Sequence, residues 1–452
     1  MINTLYLPEL REMLELNDLE GLREFCTALH PARTAEFMEG LTAAEAWSVL
    51  QAADPPTRVE IFGYLDRQKQ IEIIETCDPE SVSTLIADMP ADDRVDLLNA
   101  VDEDVATNVT SLIPIEKRRD VLRLQSYPEG TAGSVMTTEV ARLPESLTVR
   151  AALEELSRIA ENLETIYYIY IVDDENHLRG AVSARQLVTH LNRPNMPITD
   201  LMERNMVTVA ATDDQEAVAA KVADYDFLAI PVVDNEQHLV GIITHDDVID
   251  VLQQEASEDA YLAGAVAPLE EAYLAVPWLQ LTRHRAGWLA LLFFGAMFTI
   301  LALQSYHETI SQIAWLVLFL PLVVSSGGNS GGQSATLIIR ALTTKEITPA
   351  VWWAVVWREL LTGAILGLVL GTIGFVAAYL VTGSALEALV LPVTLILVVI
   401  CGTLIGSTLP LVFSRLGWDP ALMSTPFVTV IIDILGIVIY MNVALLMLKE
   451  LA

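Results

Sequence analysis

The chain has 452 residues and 49.6 kDa; at 53% hydrophobic residues and a mean hydropathy of +0.44 it is too apolar for a wholly soluble protein, and at 19% charged residues too polar for one lying entirely in a bilayer. Of 59 acidic and 26 basic residues, seven of each lie from Leu281 onward, so the whole net charge of -33 rests on the 52 acidic and 19 basic residues before it. Such a field repels nucleic acid and attracts cations, which excludes a DNA- or RNA-binding role.

Met1 to Glu20 carries charges throughout and lacks the apolar core of a secretory signal, so the N-terminus is expected in the cytosol. Cys26, Cys77 and Cys401 stand at unrelated spacings and make neither a metal ribbon nor a disulfide frame, as in a reducing compartment. Residues 1–132 read as an all-α domain. Short apolar-periodic stretches at Thr34–Leu41, Arg58–Leu65, Ile71–Cys77, Ser81–Met89 and Asp93–Val101 alternate with breaks such as Asp54-Pro55-Pro56 and Met89-Pro90. The pattern returns about every 20 to 25 residues, which predicts short helices stacked as a superhelix.

Residues 133–255 repeat more plainly. Ile171-Val172-Asp173, Glu175, His177-Leu178 and Gly180 to Ser183 match Val232-Val233-Asp234, Glu236, His238-Leu239 and Gly241 to Thr244 at an offset of 61. Each copy opens on a Met (Met136, Met202) and runs extended stretch, helix, strand, Asp-rich turn, strand, helix. The units 133–197 and 198–255 resemble a tandem pair of CBS domains, an α/β pair packed as one disc because neither sheet buries its face alone. CBS pairs often bind adenine nucleotides. The second copy keeps Gly241, Thr244 and Asp247, whose side chains suit ribose hydroxyls; the first reads Gly180, Ser183 and Gln186, so a weak site for ATP is expected at Thr244 and Asp247.

Residues 256–280 are read as a connecting helix, and 281–452 as a membrane domain with five helices at about 286–307, 312–340, 358–382, 388–413 and 421–448, each long enough for the roughly 20 residues a crossing needs. Arg283, Arg285, Arg340, Lys345, Arg358 and Arg415 all fall in loops on the N-terminal side of the bilayer, and only Lys449 falls outside, which supports the odd count and an outer C-terminus. The second span carries Ser325-Ser326-Gly327-Gly328-Asn329-Ser330-Gly331-Gly332-Gln333-Ser334-Ala335-Thr336, a run too polar for a lipid-facing helix. The fifth carries Asp433, almost midway between the charges of Asp419 and Lys449. At a rise of about 1.5 Å per residue it stands roughly 20 and 24 Å from those flanks, near the midplane, where a carboxylate faces a polar cavity or an ion. Thr425 and Thr429 precede it at helical spacing, and Gly436 and Tyr440 follow on the same side.

The stretch Pro321 to Leu342, the Asp419-Pro420-Ala421 entry to a span bearing Asp433, and the linker Gly130 to Thr137 together resemble the MgtE family of magnesium channels over nearly the whole chain. The resemblance implies a homodimer in a bacterial inner membrane, with the pore on the two-fold axis between the second and fifth spans of each copy. One carboxylate cannot neutralise a divalent cation, whereas two copies of Asp433 can. Mg2+ sheds water reluctantly and would pass largely hydrated, its waters donating to Asp433, Thr429, Thr425, Asn329 and carbonyls near Gly328. The resemblance also places a cytosolic Mg2+ sensor on Asp92, Asp93 and Asp96 of the N-domain, on Asp213, Asp214, Glu216, Asp224 and Asp226 of the second CBS unit, and on Asp246, Asp247, Asp250, Glu255, Glu258 and Asp259 leading out of it. Asp246 with Asp250 and Glu255 with Asp259 are like-charge pairs one turn apart, which a cation relieves. The expectation is a feedback gate in which high cytosolic Mg2+ bridges these acids and holds the helix from about Ser257 to Pro277 against the pore. Another divalent cation such as Co2+ or Mn2+ is the alternative cargo. No Walker loop, zinc-protease helix or His pair at ligand spacing is present, so no enzyme is expected.

Overall fold

The computed structural model describes residues 5–160, 163–269, 273–274, 276–422 and 425–448. It divides into two compact units, Met1–Gln253 and Gln254–Ala452.

The first unit opens with ten short helices: α1 Leu7–Leu16, α2 Leu19–Ala28, α3 Pro31–Met38, α4 Ala43–Ala52, α5 Pro55–Gly63, α6 Arg67–Thr76, α7 Pro79–Asp88, α8 Ala91–Ala100, α9 Glu103–Leu112 and α10 Ile115–Leu124. Their N-caps from α2 onward are Asp18, His30, Thr42, Asp54, Asp66, Asp78, Pro90, Asp102 and Pro114, evenly spaced from first to last. In Asp54, Asp66, Asp78 and Asp102 a carboxylate accepts a first-turn N–H, satisfying one of the donors a helix start leaves unpaired. Packing skips one helix each time: α2 lies on α4, α4 on α6, α6 on α8 and α8 on α10, while α3, α5, α7 and α9 form the other layer. The expected superhelix is therefore two-layered, and its structural repeat is one helix from each layer.

The same unit holds two three-stranded sheets. In the first, β1 (Val140–Pro144) runs parallel to β2 (Thr165–Val172), which pairs antiparallel with β3 (Leu178–Ser183). In the second, β4 (Val209–Ala210), β5 (Ala229–Val233) and β6 (Leu239–Thr244) repeat that order. The pairs Ile171 with Gly180 and Val232 with Gly241 carry the sequence offset between the copies into the register. Helices α11 (Val149–Ile159), α12 (Ala184–Thr189) and α13 (Gln215–Tyr225) cover the sheets, and α14 (His245–Ala263) follows β6. The two copies join at equivalent turns: Leu178 N–H donates to the Gln237 carbonyl at 3.0 Å, Leu239 N–H to that of Asn176 at 3.1 Å, and the His177 and His238 rings stack at 4.5 Å. These two histidines hold the same position in their respective copies and are neighbours through the fold.

The second unit is helical: α15 Trp278–Ser305, α16 His307–Gln312, α17 Leu316–Thr343, α18 Trp352–Thr382, α19 Ala385–Ala388, α20 Val390–Arg415 and α21 Thr425–Leu448. Four segments, Trp278–Ser305, Pro349–Thr382, Ala385–Arg415 and Thr425–Leu448, are long and apolar enough to cross a membrane. α17 matches them in length, but its Ser, Gly, Asn and Gln run lowers its hydropathy. That run does not unwind the helix, which continues through Pro321 and all four glycines. α14 ends at Ala263, and residues 264–269 are non-helical, with Ala265 in the left-handed region at φ 57°. Of the expected connecting helix, residues 256–263 thus belong to α14, while 270–272 and 275 lie outside the described residues.

Candidate cation and nucleotide sites

At the crossing of α17 with α21, glycine permits a separation that any side chain would prevent. A Cβ on Gly332 would stand 2.5 Å from Thr425 Cγ2, and one on Gly328 would stand 2.8 Å from Thr429 Cγ2 and 3.5 Å from Asp433 Oδ1. Thr425, Thr429 and Asp433 therefore line up against the glycine face of α17, as their i, i+4, i+8 spacing requires. Thr429 Oγ1 donates to the Thr425 carbonyl at 2.9 Å, which leaves the lone pairs of that hydroxyl to accept, and Thr336 and Thr425 hydroxyls lie 3.4 Å apart. Asp433 Oδ1 is buried with no hydrogen-bond partner among the described residues. Tyr440, one turn beyond Gly436, turns its hydroxyl to the Leu316 carbonyl at 3.1 Å and so acts in packing. Around α17, Gly327, Gly328, Ser330, Gly331, Gly332, Ser334 and Ala335 are buried, whereas Ser325, Asn329, Gln333 and Thr336 form an exposed polar stripe. Asn329 thus neighbours Gly328 in sequence but faces outward, its amide donating to Ser325 Oγ at 3.3 Å.

In the first unit the fold gathers acids from α8, α14 and the start of β2. Asp92 is pushed well above the carboxylate range by burial and then by Asp247, Asp93 and Glu164, and its Oδ1 is buried without a partner among the described residues. Burial likewise raises Asp93, with Asp250 and Asp246 adding to the effect and Arg67 opposing it. Burial brings Asp96 up to about 6 against the pull of Arg67, and Asp247 to about 6 against the bonds it accepts from Thr244. Glu164, which the sequence reading passed over, is raised to about 7 by burial beside Asp247, Glu139, Asp246 and Asp93. It is remote from Asp247 in sequence, and nothing local to it signals a shared site. Among the described residues, no three such groups close to metal-coordinating separation. The other expected acids are placed elsewhere. Asp213 pairs with Lys221 at 3.3 Å. Asp214 caps α13, with Glu216 in its first turn, and Asp224 and Asp226 stand exposed at its far end. In the second unit, burial and then Asp419, Glu255 and Glu258 raise Asp259 to about 6.

A cavity of about 500 Å³ opens between the two CBS copies, lined by Tyr168, Tyr170, Ser183, Gln186, Tyr225 and Phe227 among others. Tyr225 and Phe227 stack at 5.4 Å and 7°. Thr244 and Asp247, the expected nucleotide residues, are outside this lining: Asp247 accepts both the Thr244 N–H and its hydroxyl, closing the start of α14. Gln186, in the first copy, accepts the equivalent bonds from Ser183 and also lines the cavity.

Comparison with known proteins covers all three parts. Residues 29–130 match the MgtE intracellular N domain, 132–193 and 198–254 the CBS domain, and 320–443 the MgtE divalent cation transporter family. The magnesium transporter MgtE of Thermus thermophilus is 40% identical over 326 residues, 72% of each chain. The solved soluble part of a magnesium transporter is 35% identical with a TM-score of 0.52, covering 55% of this chain and 97% of that one. The solved cytosolic domain of the Mg2+ channel MgtE in complex with ATP is also 35% identical, with a TM-score of 0.50 over 54% of this chain and 98% of that one.

Proposed function

The chain belongs to the MgtE family, and from that premise we propose that it is a homodimeric, Mg2+-selective channel of the bacterial inner membrane, carrying Mg2+ inward down its electrochemical gradient. The carrying observation is Asp433: a buried carboxylate oxygen beside Gly328 with no hydrogen-bond partner among the described residues, on the helix face that also presents Thr425 and Thr429. An oxygen-only set with one acid per copy suits a hydrated dication, because the coordinated waters donate to fixed acceptors and two acids balance its charge. The polar stripe Ser325, Asn329, Gln333 and Thr336 supports a two-fold axis along α17, where a second copy completes a wet passage. On this reading α17 is the fifth span, and its polarity belongs to the pore.

Gating is read from the acids. Asp92, Asp93, Asp96, Glu164 and Asp247 are held together although burial and like charges beside them, those of Asp246 and Asp250 included, disfavour their ionised form, so Mg2+ entering among them stabilises the closed arrangement. Asp259 with Asp419, Glu255 and Glu258 offers a further place. A shift from 1% to 99% closed needs about 5.5 kcal/mol, which several weak sites supply together. The aromatic cavity between the CBS copies suits an adenine ring, and ATP there is the modulating ligand of this reading. Flux into liposomes with Mg2+ as the sole divalent cation tests the pore: Asp433→Ala and Asp433→Asn should lower it at least about a hundredfold, on the order of the cost of removing a group that balances a buried charge. Near-normal flux in both would move the selective site elsewhere. Parallel measurements with Co2+ and Mn2+ separate the alternative cargoes.

A further inference from the structure

Glu359 is an acid within an apolar helix that the pore reading does not use. It lies in α18, a segment long and apolar enough to cross the bilayer, and an ionisable group so placed calls for a specific partner. Its carboxylate accepts the hydroxyl of Ser334 at 2.6 Å, and its main-chain carbonyl accepts that of Thr403 at 3.1 Å. Ser334 is 5% exposed, and among the described residues no cation pairs with Glu359. Glu359 thus joins α17, α18 and α20 at one point.

The face of α17 near this point explains the need. Gly327, Gly328, Gly331 and Gly332 offer no side chain to key into a groove: a Cβ on Gly406 of α20 would stand 2.1 Å from the Gly331 carbonyl. A smooth contact allows close approach but resists rotation about the helix axis poorly. At about 100° per residue, Ser334 lies roughly 160° from Thr336 and 180° from Ser325, so Glu359 grips the back of the helix whose front carries the polar stripe. We infer that Glu359 is a positioning residue: by holding Ser334 it fixes the rotation of α17, and thereby the direction in which Asn329 and Thr336 meet the permeating ion. This rests on the pore reading above.

The test uses the full chain in liposomes with Glu359→Ala, Glu359→Gln, Ser334→Ala and the double variant Glu359→Ala with Ser334→Ala. Two quantities are read: the ratio of Mg2+ to Ca2+ flux, and labelling by a water-soluble thiol reagent of cysteines introduced by Asn329→Cys or Ser330→Cys, above that of the parent chain. Loss of a charge-assisted bond should lower the ratio about tenfold in Glu359→Ala and in Ser334→Ala, with the double variant no worse than either. Glu359→Gln, which keeps an acceptor, should stay within about twofold of the parent. Labelling should shift from position 329 toward 330 when the bond is lost. Unchanged ratio and labelling in both alanine variants, or additive losses in the double variant, overturn the inference. Should Glu359→Ala fail to reach the membrane, Ser334→Ala, which removes one oxygen, carries the test. If the parent carries no Mg2+ the pore reading falls, and the labelling pattern alone decides whether Glu359 orients α17.

Discussion

Arg94 shows how a single side chain can hold a turn of the N-domain superhelix. It is 0% exposed; Nε donates to the Ile86 carbonyl at 2.9 Å, and Nη2 to those of Ala87, at 3.3 Å, and Met89, so the guanidinium closes the C-terminus of α7. Arg58 does the same for α4 from the fourth position of α5, and Gln70, fourth in α6, donates to Phe62 and Gly63. The position is therefore a built-in helix cap, with Arg needed where Glu139 also requires a cation. Arg94→Ala should destabilise residues 1–253 by about 3 to 5 kcal/mol in urea unfolding, because it leaves buried carbonyls unpaired and Glu139 with only Lys117. Arg94→Gln, following the precedent of Gln70, should cost clearly less. Equal losses in the two variants would mean that packing of the long side chain, and not the cap, is what counts.

At the scale of elements, α8 and α14 are joined by groups that repel. The sign of the pH dependence follows from the raised carboxyls. Asp96 and Asp247 move from 3.8 to about 6 and Glu164 from 4.5 to about 7 on folding, so between about pH 4 and 7 the folded unit binds more protons than the unfolded chain. Without divalent ions its stability should fall as pH rises through that window and be lowest above 7. Residues 1–253 bury their own cores, so their thermal unfolding reads this directly. The midpoint should be lower at pH 8 than at pH 5.5, and millimolar Mg2+ should raise the pH 8 value by about 4 °C or more while changing the pH 5.5 value little. Asp92→Asn should raise the Mg2+-free midpoint at pH 8 and shrink the response to Mg2+. A midpoint that climbs with pH in the absence of Mg2+ would show that these acids are not held charged against one another. Asp92, Asp93 and Asp96 were legible as a cluster of acids where the family resemblance implies a sensor. Glu164 was not, because the contact that recruits it is made by the fold and not by spacing. The N-domain repeat was half legible for a similar reason: such short helices present too few turns for apolar periodicity, and the clearer signal is the N-cap recurring at a fixed interval.

For the whole molecule, the sequence divided acid from apolar with little ambiguity, since net charge and hydropathy change together near Leu281. The CBS copies were equally plain, because a duplicated strand and turn leave the same residues at a constant offset, seen again in the matched registers. Less legible was the place of the glycines in α17, where composition alone allowed either a tightly packed crossing or a wet surface; the continuous helix carries one buried small face and one exposed polar face. On the proposed gating, charge in the first half governs passage through the second. A carrier with no need of control would gain nothing from so dense a load of acids ahead of Leu281, whose mutual repulsion costs stability unless a cation is supplied. On the proposed gate, flux through the full chain should decline as internal Mg2+ rises into the millimolar range, and removing residues 1–255 should abolish that decline while leaving Mg2+ flux through the remaining helices intact at low internal Mg2+. The measurement is flux into liposomes loaded at graded internal Mg2+, compared at equal driving force so that the gradient itself does not mimic inhibition. A truncated chain that still shuts down at high internal Mg2+ would place the sensor within the membrane helices and reduce the acidic domains to another task.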